Sequence, residues 1–179
     1  MLQIVIPPQE LFNEETFEIT YTKGCTLNLE HSLISISKWE SKWRKPFLDT
    51  ELSFEEKKDY IRCMTLDRNI PSDAYDFLTT SNYNAVDEYI DNPMTATWFN
   101  DMNKGHSKKE IITNEIIYYW MVSNQIPFEC EKWHLNRLLT LIRVCSEKNQ
   151  PEKKIGKHEL MQRNRALNAA RRKKLHSSG

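Results

Sequence analysis

Glycine is scarce in this chain: 4 of 179 residues, alongside 7 prolines. That scarcity argues against long disordered linkers and a many-turned β-sandwich, and it leaves no material for a glycine-rich phosphate cradle. Long apolar runs are missing as well. The longest, residues 116–122, holds 7 residues, well short of the roughly 20 that a membrane-spanning helix needs. The opening segment, Met1-Leu2-Gln3-Ile4-Val5-Ile6-Pro7-Pro8, lacks both a basic start and an adequate apolar stretch for a secretion leader. It reads as a short strand stopped by two prolines. The 4 cysteines, Cys25, Cys63, Cys130 and Cys145, are far apart and form no CxxC pair, so free thiols in a reducing compartment are expected.

What is present is bulk and charge. Aromatics make up 11% of the chain, with 5 tryptophans, enough to order a core in one or two compact domains. Lysine plus arginine equals aspartate plus glutamate at 25 each, but the balance is local rather than uniform. Residues 150–179 hold 9 Lys/Arg against Glu152 and Glu159, a net +7, which leaves −7 on the rest. A neutral total therefore hides an acidic body and a basic tail. The stretch 49–91 alone carries 11 Asp/Glu against 4 Lys/Arg.

Hydropathy patterning indicates a mainly helical α+β protein. Phe17, Ile19 and Tyr21 alternate with polar residues, and the alternation resumes at Cys25, Leu27 and Leu29. With Thr22-Lys23-Gly24 between them, a β-hairpin turning there is expected, joined by Leu2–Ile6 into a small three-stranded sheet. The period then lengthens. Leu33, Ile36, Trp39 and Trp43 predict a helix closed by Pro46, and Ser53-Phe54-Glu55-Glu56 is a capping box that opens the next. Pro71-Ser72-Asp73 starts a short third helix, and a fourth is expected near residues 85–90, ending at Asn92-Pro93. Residues 92–108 read as a polar loop. The spacing predicts a helix over 109–123, apolar on more than one face and so central, and a second long helix over 129–148. After a charged linker at 153–156, residues 158–175 are helix-prone but have too narrow an apolar stripe to stand alone in water. The domain organisation expected is thus a hairpin or small sheet over 1–30, a helical body over 31–149 and a hinged basic helix over 150–179.

Signatures of catalysis are lacking. The nucleophile elbow, P-loop, Rossmann fingerprint, HExxH and EF-hand patterns do not occur. Cys130 and His134 are four apart on the predicted helix and could share a metal, but two ligands do not make a site. Glu40-Ser41-Lys42 matches an acidic-x-Lys fragment found in metal-dependent nucleases, without an upstream carboxylate to complete it. His31 precedes a helix and is expected to help start it, while His106 and His176 read as solvated. No catalytic residue, cofactor or metal is assigned, and the chain is not expected to be an enzyme. Nucleic-acid recognition is disfavoured, because the body is acidic and the second long helix offers few side chains to base edges.

Several blocks carry a resemblance. His31-Ser32-Leu33-Ile34-Ser35-Ile36-Ser37-Lys38-Trp39-Glu40-Ser41-Lys42-Trp43, then Lys45-Pro46-Phe47-Leu48, Tyr60-Ile61-Arg62-Cys63-Met64-Thr65, Pro93-Met94-Thr95-Ala96-Thr97, the segment 133–145 and the segment 164–174 are similar to a family of small proteins of long-tailed bacteriophages. Within that group the chain resembles the tail assembly chaperones. The resemblance implies a protein of the host cytoplasm that coats the tape-measure protein, keeps its helical surface from aggregating and self-associates. It also implies a longer product made by a −1 ribosomal frameshift, for which Arg172-Lys173-Lys174 offers a slippery coding possibility. The alternatives are a structural virion protein of the neck or tail, whose terminal helix locks onto a neighbouring subunit, and a small phage DNA-binding protein. In either protein-binding case the contacts are expected at Trp98 and Phe99, in the polar loop, and at Arg163, Leu167, Arg171, Arg172, Lys173 and Lys174 of the basic tail.

Overall fold

The computed structural model describes residues 1–13, 17–99, 111–149 and 157–175. It is a mainly helical α+β protein whose β-structure is confined to the N-terminus. The chain divides into two compact units, Met1–Glu147 and Lys148–Gly179. The expected linker at 153–156 lies outside the described residues.

Strands β1 (Leu2–Ile6) and β4 (Cys25–Leu29) pair antiparallel, with Ile4 opposite Leu27, and β2 (Glu10–Asn13) pairs antiparallel with β3 (Glu18–Tyr21), with Phe12 opposite Ile19. This corrects the expected three-stranded sheet. Thr22-Lys23-Gly24 is a kink across from Pro7-Pro8 instead of a hairpin turn, so β3 and β4 lie in different pairs. The two prolines lack the N–H groups that would continue the ladder. Thr22 restores continuity beyond them, donating its N–H to the Gln9 carbonyl at 2.9 Å and accepting the Gln9 N–H on its hydroxyl at 2.9 Å. Gly24 does not use a positive φ. It is small because a Cβ there would sit 2.8 Å from the Pro8 ring and 2.9 Å from the Ile6 carbonyl oxygen.

The helices follow their sequence signals closely where capping is explicit. Ser32 caps α1 (Leu33–Trp43) and Ser53 caps α2 (Phe54–Met64), each through a capping box. Arg44, in the left-handed region, stops α1 before Pro46. Pro71 leads a 3-10 helix over Ser72–Phe77. Helix α3 (Thr80–Asp91) begins five residues earlier than expected because Thr79 and Asn82 form a third capping box, with Asn in place of the usual Glu or Gln. Residues 92–99 are irregular, as expected of a loop; residues 100–108 lie outside the described residues.

Two further expectations are corrected. The helix predicted over 109–123 is α4 (Asn114–Ser123), with residues 111–113 non-helical and 109–110 outside the described residues. It is not enclosed on all sides: Asn114, Ile117 and Met121 point inward, while Tyr119 and Val122 are exposed. The helix predicted over 129–148 is two elements, a 3-10 turn at Phe128–Lys132 and α5 (Leu135–Asn149). The break falls at Trp133, which is extended, because His134 and Leu135 are drawn into contacts with the start of α1. Cys130 and His134 therefore do not share a helix face. Helix α6 (Lys157–Leu175) forms where the terminal helix was expected.

The core of the first unit centres on α1. Leu33, Ile36 and Trp39 are completely buried, with Leu27 and Leu29 from β4, Ile61 and Met64 from α2, Ile117 and Met121 from α4, and Leu135 and Leu138 from α5. Each such side chain contributes about 1.5–3 kcal/mol of burial energy. The β1–β4 pair supplies Ile4 and Ile6 to this same core, so the base of the hairpin is part of the body. All four cysteines are free.

Candidate functional site

The groups that could suggest chemistry are buried between helices and already occupied. His31 and His134 are 1% and 6% exposed, with ring centroids 5.1 Å apart in an edge-to-face arrangement. His134 accepts the Asn136 N–H on Nδ1 at 3.3 Å, which leaves its proton on Nε2 to donate to the Tyr89 carbonyl at 2.9 Å. Ser35 donates its hydroxyl proton to the Ser32 carbonyl at 2.7 Å. The Tyr60 hydroxyl is then free to donate to His31 Nδ1, 2.6 Å away. His31 is neutral in this arrangement. Burial, then the neighbouring His134, pushes the His31 pKa down to about 3, and burial raises Tyr60 well above the usual phenol range. Backbone contacts complete the junction: the His31 carbonyl accepts the Leu135 N–H at 2.7 Å. The cap of α1 is made by Ser32 and Ser35 rather than by His31. His31 ties the start of α1 to the start of α5.

The acidic groups of the first two helices are likewise engaged. Glu40 accepts the Phe47 N–H at 2.8 Å on one oxygen, and the Asn114 N–H at 2.9 Å and side-chain amide on the other. Glu56 accepts from Lys45 Nζ at 2.6 Å and from the Ser53 N–H at 2.8 Å, and the Lys45 hydrogen bond leads the causes that lower its pKa to about 2. Asp59 accepts from Lys42 and from the Trp43 indole at 2.8 Å. Glu40 and Lys42 of the nuclease-like fragment therefore bind different elements and converge on no open site. Cys63 is half-buried, and burial followed by Asp59 pushes its thiol up to about 11, away from thiolate chemistry. Among the described residues no group of three or more His, Cys, Asp or Glu could hold a metal. No described helix is long and apolar enough to cross a membrane.

The surface differs from the interior in one respect: large apolar side chains are left in water. Of the five tryptophans, Trp39 is enclosed, Trp43, Trp120 and Trp133 are partly buried, and Trp98 is 91% exposed. Its neighbour Phe99 is only partly exposed and carries the Arg143 guanidinium 3.8 Å from its ring centroid. Of the two loop residues expected as contacts, Trp98 is thus exposed and Phe99 is partly covered. In the second unit, Arg163, Leu167, Arg171, Arg172, Lys173 and Lys174 are all exposed on α6. Arg163, Leu167 and Arg171 recur every fourth residue and so share one face.

Two exposed apolar sets were not expected from the sequence. The β2–β3 ribbon presents Phe12, Phe17, Ile19 and Tyr21 at 58%, 79%, 56% and 68% exposure. Phe17 packs edge-on against Phe12 and adopts a positive φ of 56°, an unusual backbone state for an aromatic residue. The second set is Tyr119 and Val122 on α4, one turn apart. The alternation of Phe17, Ile19 and Tyr21 marked a strand, but the partner strand Glu10–Asn13 has no alternation of its own. Exposure could not be read from either. Against known protein families, curated proteins and solved structures, the chain shows no match.

Proposed function

We propose that this protein is a tail assembly chaperone of a long-tailed bacteriophage, acting in the host cytoplasm by holding the tape-measure protein and performing no bond chemistry. The observation that carries the reading is Trp98, a large amphipathic side chain held 91% in water on an irregular segment of the acidic body. A long helical client needs such anchors, which bury substantial area at low entropic cost. The cationic α6, whose described side chains are exposed, supplies further contacts of the kind used for weak, multivalent holding.

A structural protein of the neck or tail is the second reading, favoured by α6 belonging to a unit of its own with its described side chains exposed. One experiment separates the readings. The full chain is co-expressed with a tape-measure protein of a long-tailed phage, and purified virions are analysed in parallel. A chaperone keeps the tape-measure protein from precipitating, co-purifies with it and is absent from virions. A fixed copy number in virions overturns the chaperone reading in favour of the structural one. Retention on DNA that falls with salt and disappears on deletion of 157–179, without tape-measure binding, overturns both.

A further inference from the structure

Neither the β2–β3 ribbon nor α6 is self-sufficient. A two-stranded ribbon is marginal in water unless its apolar face is covered, and this one exposes Phe12, Ile19 and Tyr21 on one face, since Phe12 pairs with Ile19 and Glu10 with Tyr21. An isolated helix of 19 residues is marginal too. Their charges are opposite. Residues 9–22 contain four glutamates and no Lys or Arg, whereas 157–175 contain seven Lys/Arg and one glutamate. At the base of the ribbon lies a groove of about 370 Å³ lined by Leu11, Tyr21, Lys23, Asp73 and Phe77 among others, so that Tyr21 belongs both to the groove and to the exposed face.

We propose that the β2–β3 ribbon and the groove at its base receive α6 of a second copy of this chain, so that the protein dimerises by reciprocal exchange of basic helices onto acidic ribbons. The Arg163–Leu167–Arg171 face suits that surface, with a leucine for the apolar strip and a cation one turn away on either side for its acidic flanks. Area supports reciprocity. The four exposed ribbon side chains offer about 450 Å² at typical side-chain areas. A single contact falls short of the roughly 800 Å² per partner of a stable interface. Two contacts related by a two-fold axis, in which each chain gives one ribbon and one helix, bury about 900 Å² per chain and reach it. Like charges disfavour the competing arrangement of ribbon against ribbon. The inference goes beyond client holding.

The test is sedimentation velocity on the full chain across a range of concentrations and salt, with two variants. One carries Phe12→Thr and Ile19→Thr, which keep strand preference; the other carries Arg163→Glu and Arg171→Glu. The wild-type chain is expected to form a dimer that weakens at least about tenfold on going from low to high salt. Each variant alone should weaken it by at least about tenfold, with the Trp near-UV spectrum unchanged. Mixing the two variants should restore partial association in a 1:1 hetero-dimer, because one intact ribbon then meets one intact helix. Adding Glu10→Arg, the glutamate that the register places on the same face as Phe12 and Tyr21, to the helix variant should restore part of it by charge swap. A monomer at all concentrations overturns the proposal, as does a dimer indifferent to both variants or a mixture that associates no better than its components. Tape-measure holding is scored separately, so its loss alone leaves the dimer result standing.

Discussion

Glu40 on α1 accepts the backbone N–H of Asn114 at 2.9 Å, across 74 residues of chain. The same carboxylate holds the Phe47 N–H, so one buried side chain fixes both the loop after α1 and the first turn of α4. Removing it strands several donors. Glu40→Ala should destabilise the fold by about 2–4 kcal/mol, read as a lower urea midpoint with an unchanged slope. A variant as stable as the wild type would show that water or a shifted side chain satisfies those donors.

His31 makes the stability pH-dependent in a defined direction. Its folded pKa of about 3 lies below the ordinary value of 6.5, so the unfolded chain binds more protons between these limits and stability rises with pH there. The contribution is complete above about 6.5 and is lost at about 1.4 kcal/mol per pH unit on acidification toward 3. His31→Gln should flatten this part of the profile in denaturation measured from pH 7 to 4. Parallel profiles for the two proteins would refute the assignment. Glu56, with a folded pKa of about 2, acts in a lower window: its contribution is present above about 4.5 and disappears as pH falls through 2.

Asn136 closes the end of α3 from a distance. Its amide donates to the Ile90 carbonyl at 2.8 Å and to the Asn92 carbonyl at 2.9 Å, and the last turn of α3 has no basic residue to do so. Asn136→Ala should cost about 1–2 kcal/mol and accelerate amide exchange selectively in residues 88–92. Uniform acceleration throughout the unit would point to global unfolding instead.

Gly24→Ala tests the kink between the two strand pairs. The added Cβ meets the Ile6 carbonyl oxygen at 2.9 Å, a backbone atom that cannot swing aside, so a loss of about 1–3 kcal/mol is expected. Thermal melts of the variant check it, and an unchanged midpoint would mean that the kink yields without strain.

Trp98→Ser should leave stability within about 0.5 kcal/mol, because the ring touches so little of its own chain. Its effect belongs to binding: retention of soluble tape-measure protein should fall several-fold in the co-expression assay. Full retention would remove Trp98 from the contact surface.

Local signals were legible wherever neighbours in sequence do the work. Ser53 bonds the third residue of the helix it caps, so the start of α2 could be read directly, whereas the Ser32–Ser35 box that caps α1 was recognised only in the structure. The apolar spacing of Leu33, Ile36 and Trp39 determined which face of α1 turns inward, and the absence of Pro and Gly over 158–175 determined a helix there. The segregation of charge between body and tail was equally a property of composition. Tertiary structure decided what depends on distant partners. Pairing of β2 with β3 rather than β3 with β4 follows from prolines that break a ladder whose other strand lies about 15 residues away. The division of the 128–149 segment follows from His134 and Leu135 bonding to the Ser32 and His31 region, a contact with no periodicity to announce it. Trp98 was expected as a surface contact from its place in a polar loop, but exposure of the ribbon aromatics was decided by the fold, since hydrophobicity sets the tendency of a side chain to leave water but only the packed fold determines whether a place remains for it.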